Sequence, residues 1–348
     1  LKMIRMWLIS MDSKQLFSIV FLGLFFSCHQ ENHLVSKRIQ GFALGTTYSI
    51  SFNTENLEET FVEHKVDSLF AVLNQSLSTY IPTSDISKIN KGDSLLVVDD
   101  HFVAVYNQAT EVYNTTDGFF DPTVGALVNA YGFGPGKKLN TLSTQQLDSI
   151  LQFTGWDKTK LSINNTILKT HPKVYFDFNA IAKGYAVDVL AKCLRNLKVA
   201  SFLVEIGGEI VAQGKSLKSN SFWKVAIDDP HQGENRTFIQ VITLENKALA
   251  TSGNYRKFSI NETTGERWVH SINPKTGKAI PSNILSVSVL AENCMKADAF
   301  ATALMVMPLK KAKLLIEKQP SLEAYWILSD SLGKVKEVFS SGFLKENY

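Results

Sequence analysis

The stretch Val174-Tyr175-Phe176-Asp177-Phe178-Asn179-Ala180-Ile181-Ala182-Lys183-Gly184-Tyr185 decides how the chain reads. Residues 174–178 form a short β-rich run. Residues 181–194 follow with Ala182, Ala186, Val189 and Leu190 on one stripe, the spacing of a helix packed on a core. A further strand is predicted over 202–206, ending at Gly207-Gly208. The 177–185 junction therefore sets an acid, a lysine and a glycine where a helix opens. Free N–H groups and a lysine at such a place suit an anionic ligand. Neither Gly-x-x-x-x-Gly-Lys-Ser/Thr nor Gly-x-Gly-x-x-Gly is present, so a P-loop and a dinucleotide fingerprint are excluded.

Outward from that junction, residues 39–53 read as two strands interrupted at Gly45. Residues 57–76 place Leu57, Phe61, Val62, Val66, Leu69, Phe70 and Leu73 at helical spacing, and 102–116 repeat the pattern. Strands are predicted over 223–227, 239–244, 248–251 and 285–290, before an apolar helix over 297–307. This irregular interleaving predicts an α+β fold, a mixed α/β catalytic unit. With no Pro/Gly/Ser-rich linker inside it, the unit is expected to span 38–348.

A chain of 348 residues that is 45% hydrophobic and 20% charged is neither disordered nor collagen-like. Its three cysteines, Cys28, Cys193 and Cys294, make no disulfide framework and no Cys-rich zinc site. The net charge of +3 falls to +1 without Lys2, Arg5, Lys14 and Asp12, which leaves no nucleic-acid footprint. Residues 16–27 (LFSIVFLGLFFS) follow Lys14, are apolar, and are too short to span a bilayer comfortably. Residues 1–27 are read as a signal peptide, with Met11 a better start than Leu1. Leu24-Phe25-Phe26-Ser27-Cys28 resembles a bacterial lipobox, although Phe25 departs from the usual aliphatic residue. On that reading Cys28 carries a lipid and 28–37 form a linker; a plain signal peptide or an uncleaved anchor is the alternative. All three place the body outside the cytoplasm, lipid-anchored on the first.

Several segments put Gly, Asp, Thr and Ser where binding loops are built. Leu44-Gly45-Thr46-Thr47-Tyr48 pairs a glycine with hydroxyls, and Tyr80 follows Ser78-Thr79 on a loop where it could stack on a planar ligand. Phe119, Phe120 and Asp121 lie in Gly118-Phe119-Phe120-Asp121-Pro122-Thr123-Val124-Gly125, an aromatic pair beside a carboxylate. In Ala297-Asp298-Ala299-Phe300-Ala301-Thr302-Ala303-Leu304, Asp298, Ala301 and Thr302 share one helical face. A hard cation would satisfy the acid and hydroxyl there, as would a helix cap by Asp298 and a backbone bond from Thr302.

Taken together and in order, six motifs resemble the bacterial FAD:protein FMN transferases, the ApbE-like flavin transferase family of periplasmic lipoproteins. They are Phe-Asp-Pro-Thr-Val-Gly (120–125), Ile-Ala-Lys-Gly-Tyr-Ala-Val-Asp (181–188), Gly-Gly (207–208), Ala-Thr-Ser-Gly-x-Tyr (250–255), His-x-Ile-x-Pro-x-Thr-Gly (270–277) and Ala-Asp-Ala-x-Ala-Thr-Ala-Leu (297–304). The resemblance implies that FAD is split at its pyrophosphate, that FMN is joined to a threonine or serine hydroxyl of an acceptor flavoprotein, and that AMP leaves. It implies FAD contacts from Leu44, Tyr80, Phe119, Phe120, Asp121, Asp177, Lys183 and Ile272. It also implies magnesium held by Asp298 and Thr302, with backbone oxygens of Ala180 and Ala301. His270 is the candidate base, since a hydroxyl nucleophile needs one and histidine titrates near working pH. Outside its motif, a strand-end histidine bonding a backbone carbonyl would be the better reading of His270. Two departures stand out: Asn179 where the family has a small residue, and Glu209 where it has aspartate. A magnesium-dependent FAD pyrophosphatase and a non-catalytic FAD-binding lipoprotein are the rival readings.

Overall fold

Two tight turns set the register of the main sheet. Leu44 and Gly45 take φ of 52° and 75°, as a two-residue hairpin turn requires. They join β1 (Val35–Ala43) to β2 (Thr46–Thr54), with Ala43 opposite Thr46. Gly207 and Gly208, with φ of 61° and 104°, join β3 (Phe202–Ile206) to β4 (Glu209–Gln213). Tyr48 of β2 pairs antiparallel with Ile206 of β3, so both turns stand at one end of the sheet. Gly207 N–H donates to the Thr47 carbonyl across 3.0 Å and ties the turns together.

The computed structural model describes residues 33–139, 142–230, 237–254, 258–260, 265, 267–279, 282–330 and 332–343. The leader and Cys28 lie outside the described residues. β5 (Ala248–Gly253), β6 (Ile284–Ala291), β7 (Glu323–Ser329) and β8 (Val335–Phe339) complete an eight-stranded sheet whose spatial order is the chain order. Every neighbouring pair is antiparallel. Side chains alternate between its faces. Ala248, Ala250, Val287, Val289 and Trp326 face the helical core, while Leu249, Leu290, Tyr325 and Ile327 face a second apolar cluster.

Five helices matter for the site: α1 (Glu59–Leu77), α2 (Asp100–Thr115), α3 (Ala182–Asn196), α4 (Cys294–Val306) and α5 (Leu309–Ile316). Their apolar stripes belong to the same core as one face of the sheet. The other face is closed by a three-stranded sheet whose central strand, Ser221–Asp228, buries Trp223, Val225 and Ile227. The α+β expectation holds. Among the described residues no helix is long and apolar enough to cross a membrane.

Three expectations need correction. Residues 174–178 make no strand, only an isolated bridge between Val124 and Tyr175. Their backbone is satisfied by side chains instead: Asn90 accepts from Phe176 N–H at 2.7 Å and donates to Phe176 O at 2.9 Å. Lys169 Nζ donates to Val174 O at 2.9 Å, and Asp177 N–H donates to Pro122 O at 2.8 Å. The β-rich composition there reflects burial of Val174, Phe176 and Phe178 rather than strand pairing. Phe61 does not join the core stripe of α1; it is 45% exposed, with Lys65 Nζ 5.6 Å from its ring. The apolar helix expected at 297 begins at Cys294, where Asn293 accepts from Lys296 N–H as its N-cap.

Candidate active site

Two helix openings face each other, and each is capped by an acid of the other helix. Asp188 of α3 accepts from the N–H groups of Cys294 and Met295, each at 2.8 Å, at the start of α4. Asp298 of α4 accepts from Gly184 N–H at 3.0 Å in the first turn of α3. These are orphan donors of helix starts, where negative charge is favoured. The contact depends on Gly184. A Cβ there would lie 2.3 Å from Cys294 O and 2.8 Å from the Asp298 Cβ, so any other residue would force the helices apart.

This crossing collects two almost completely buried acids, Glu209 and Asp298, around a partly exposed Lys183. Lys183 Nζ lies 2.5 Å from Glu209 Oε1, and Glu209 is 2% exposed in the first position after the β3–β4 turn. Burial pushes the Glu209 carboxyl up, against the pull of Lys183, and Asp298 pushes it further. Burial also raises Asp298, opposed by Lys183 and by the Gly184 N–H. Burial works against the charge on Lys183, yet Glu209 and Asp298 together outweigh it and hold the ammonium protonated. Glu209 Oε2 is buried without a hydrogen-bond partner. One turn along α4, Thr302 Oγ1 lies 3.4 Å from Ser252 Oγ of β5.

A second set of groups builds on the 118–125 loop. The Val124–Tyr175 bridge lays this loop beside residues 175–177, and a Cβ on Gly125 would lie 3.2 Å from the Asp177 Cβ. Asp177 accepts from Asn179 N–H at 2.7 Å and from its side-chain amide at 3.2 Å, while burial raises its pKa. Tyr80 is 57% exposed and feels the Asp177 charge. Its hydroxyl donates to Phe133 O at 3.2 Å, and the Phe133 ring stands edge-on to His270 with centroids 6.4 Å apart. His270 follows the strand Arg267–Val269 and is half-buried.

The remaining predicted residues fall in different settings. Leu44 occupies the β1–β2 turn, at the sheet end where Glu209 begins β4. Asp121 is committed to its own loop, accepting from Thr123 N–H, the Thr123 hydroxyl and Trp156 N–H, and burial holds it at about 6. Phe120 is buried in the core, so a ligand would meet only its backbone. Lys275 and Lys311 stand 4.8 and 5.1 Å from the Phe119 ring and share Asp117. Ile272 packs with Leu127, Tyr131 and Trp268. Ala180 lies in the turn before α3, and Ala301 lies between Asp298 and Thr302 on α4.

Among the described residues no group of three or more His, Cys, Asp or Glu gathers as a metal cage. A cation at the helix crossing would rest on a buried carboxylate, a hydroxyl and carbonyl oxygens, the donor set of a hard ion. The orphaned Glu209 oxygen and the raised Asp298 fit a place where positive charge is wanted.

Residues 44–326 match the ApbE family. The chain belongs to that family. It is 35% identical to the FAD:protein FMN transferase of Haemophilus influenzae over 92% of this chain and 93% of the relative. Its fold superposes on the flavin transferase ApbE from Vibrio cholerae with a TM-score of 0.81 at 31% identity, covering 90% of this chain and all of that one. The ApbE protein of Thermotoga maritima superposes with a TM-score of 0.78 at 26% identity, covering 90% of this chain. In this ApbE-family site, sequence reading named Lys183, Asp298 and Thr302, which lie together. It missed Glu209 as the partner of Lys183, although an acid directly after a Gly-Gly turn was the signal. It did not foresee that Asn90 holds Phe176 or that Asp188 caps α4, because those partners are far along the chain.

Proposed function

We propose that this ApbE-family chain, a flavin transferase acting on FAD, attaches FMN through a phosphoester bond to a threonine or serine of an acceptor flavoprotein, with Mg2+ as its metal. The observation that carries this reading is the α3–α4 crossing. There Asp298 and Thr302 offer oxygen ligands for a hard cation beside the Lys183 ammonium, and positive charge so placed suits a diphosphate. When bound, Mg2+ would be held by Asp298, Thr302 and carbonyls of Ala180 and Ala301, and would supply charge neutralisation at the phosphoryl oxygens. Lys183 adds a fixed positive charge beside it, kept protonated by Glu209 and Asp298. Tyr80, Asp177, Leu44 and Ile272, with the 119–121 backbone, would bind and orient FAD.

The transfer balances with this chain's own groups. The acceptor hydroxyl oxygen bonds to the flavin-side phosphorus while the bond from that phosphorus to the bridging oxygen breaks. AMP leaves with the bridging oxygen, and the hydroxyl proton passes to a ring nitrogen of His270. Phe133, edge-on to His270 and tied to Tyr80, holds the ring beside the FAD-facing groups. A lipid on Cys28 would tether the protein to a membrane on its extracytoplasmic side.

The test is mass spectrometry after incubating residues 29–348 with FAD, Mg2+ and the apo form of a flavoprotein domain whose holo form carries FMN on a threonine. A covalent FMN adduct with AMP released is expected. Free FMN and AMP without an adduct would make the protein a pyrophosphatase, and intact FAD would make it a binding protein.

A further inference from the structure

A second cleft, of about 340 Å³, opens between the 270–278 loop and the end of α4. Ser271, Asn273, Asn254, Asn283, Met305 and Met307 are among its lining residues. We propose that this cleft is the docking groove for the acceptor, which it takes as an extended, uncharged stretch of polypeptide; the proposal rests on the transferase reading above.

Five observations carry it. Asn254 is only 8% exposed, and its amide oxygen is buried without a hydrogen-bond partner. Such an oxygen calls for an incoming donor, and a peptide N–H is one. The described lining residues include no carboxylate, no aromatic ring and one cation, Lys278. A flavin or adenine ring is better served by aromatic faces, and those of Tyr80 and Phe133, the latter edge-on to His270, are not among the lining residues. The amide and hydroxyl groups of Ser271, Asn273 and Asn283 can both donate and accept, which suits main-chain amides. Met305 and Met307 offer an adaptable apolar surface for side chains that vary between acceptors. Finally, the position is right for chemistry. Ser271 directly follows His270, and Met305 is one helical turn beyond Thr302. A chain lying here presents a hydroxyl between the base and the oxygen donors of α4.

Two variants test the groove in the full chain. Asn254→Leu removes the orphaned amide at similar size, and Asn283→Trp fills the cleft from an exposed side chain while leaving the Asn283 carbonyl able to accept from Ser329 N–H. Binding of the fluorescently labelled apo acceptor domain is read by anisotropy, and FAD binding by flavin fluorescence. In both variants the acceptor Kd is expected to rise about tenfold or more while the FAD Kd stays put. An unmoved acceptor Kd in Asn283→Trp, or no binding of the domain by the parent protein, overturns the proposal. A parallel rise in FAD Kd also overturns it, because the cleft would then hold part of FAD. If the parent protein binds the domain and both variants weaken it, yet no FMN adduct forms, the groove stands and the transferase reading fails.

Discussion

His270 and Asp298 carry separable parts of the proposed chemistry, and each has a substitution that isolates it. His270→Ala removes the proton acceptor while leaving Tyr80, Asp177 and Lys183 in place. Transfer in a single turnover is expected to fall about 10²–10⁴-fold, with FAD affinity by flavin fluorescence retained; an unchanged rate would assign the base to another group. Asp298→Asn keeps an acceptor for Gly184 N–H but loses the charge. Mg2+ affinity read by titration calorimetry is then expected to drop by about tenfold or more, and undiminished affinity would remove Asp298 from the metal site. Both residues were legible in the sequence because their motifs are local. The Glu209 role was not, since its partner Lys183 sits on another element and only burial makes the pair obligatory.

At the scale of elements, the site is a crossing of two helices whose closest point is a glycine. Gly184→Ala would place a methyl 2.3 Å from Cys294 O, a backbone atom with little freedom to retreat. The helices must separate, at a cost of about 1–3 kcal/mol in stability, read as a lower urea midpoint with unchanged slope. Because Asp298 bonds to Gly184 itself, Mg2+ affinity should fall with it; full stability together with full affinity would show that α4 can shift without loss. The helical stripes of α1 to α3 and the strand runs of the second half were readable from apolar spacing alone. The 174–178 run misled because apolar residues are buried there by Asn90 and Lys169 holding the backbone, and those side chains stand in for a strand that local sequence cannot reveal. The start of α4 was set too late for a related reason: its caps are Asn293 and Asp188, and the second is 106 residues from its partner Cys294.

Across the whole molecule, one sheet in chain order gathers residues from β2 to β7 onto a single helical layer, and the price is a set of acids buried beneath it. Irregular interleaving of helices and strands hid that regular order, because the long connections between β2 and β3 and between β6 and β7 carry the helices. Burial pushes Asp121 and Asp188 each up to about 6. A carboxyl whose folded pKa exceeds its unfolded value of 3.8 binds its proton more tightly in the native state. Its contribution is therefore full below pH 4 and is lost as pH rises through about 6. For Asp188 the amount is on the order of 3 kcal/mol. Asp117 runs the other way, held at about 2 by Lys311 and Lys275, and titrates below this window. Asp188→Asn should flatten the decline between about pH 4 and about pH 6.5 in urea midpoints, by the share that Asp188 supplies. At about pH 4 the variant should lie lower by about 1 kcal/mol, since an amide oxygen can serve only one of Cys294 and Met295 N–H without turning its own donors on the other, and the two curves should cross as the parent declines towards about pH 6.5. Parallel curves for the two proteins would mean that Asp188 keeps the same proton affinity folded and unfolded, and that the helix crossing holds its acids at no electrostatic cost.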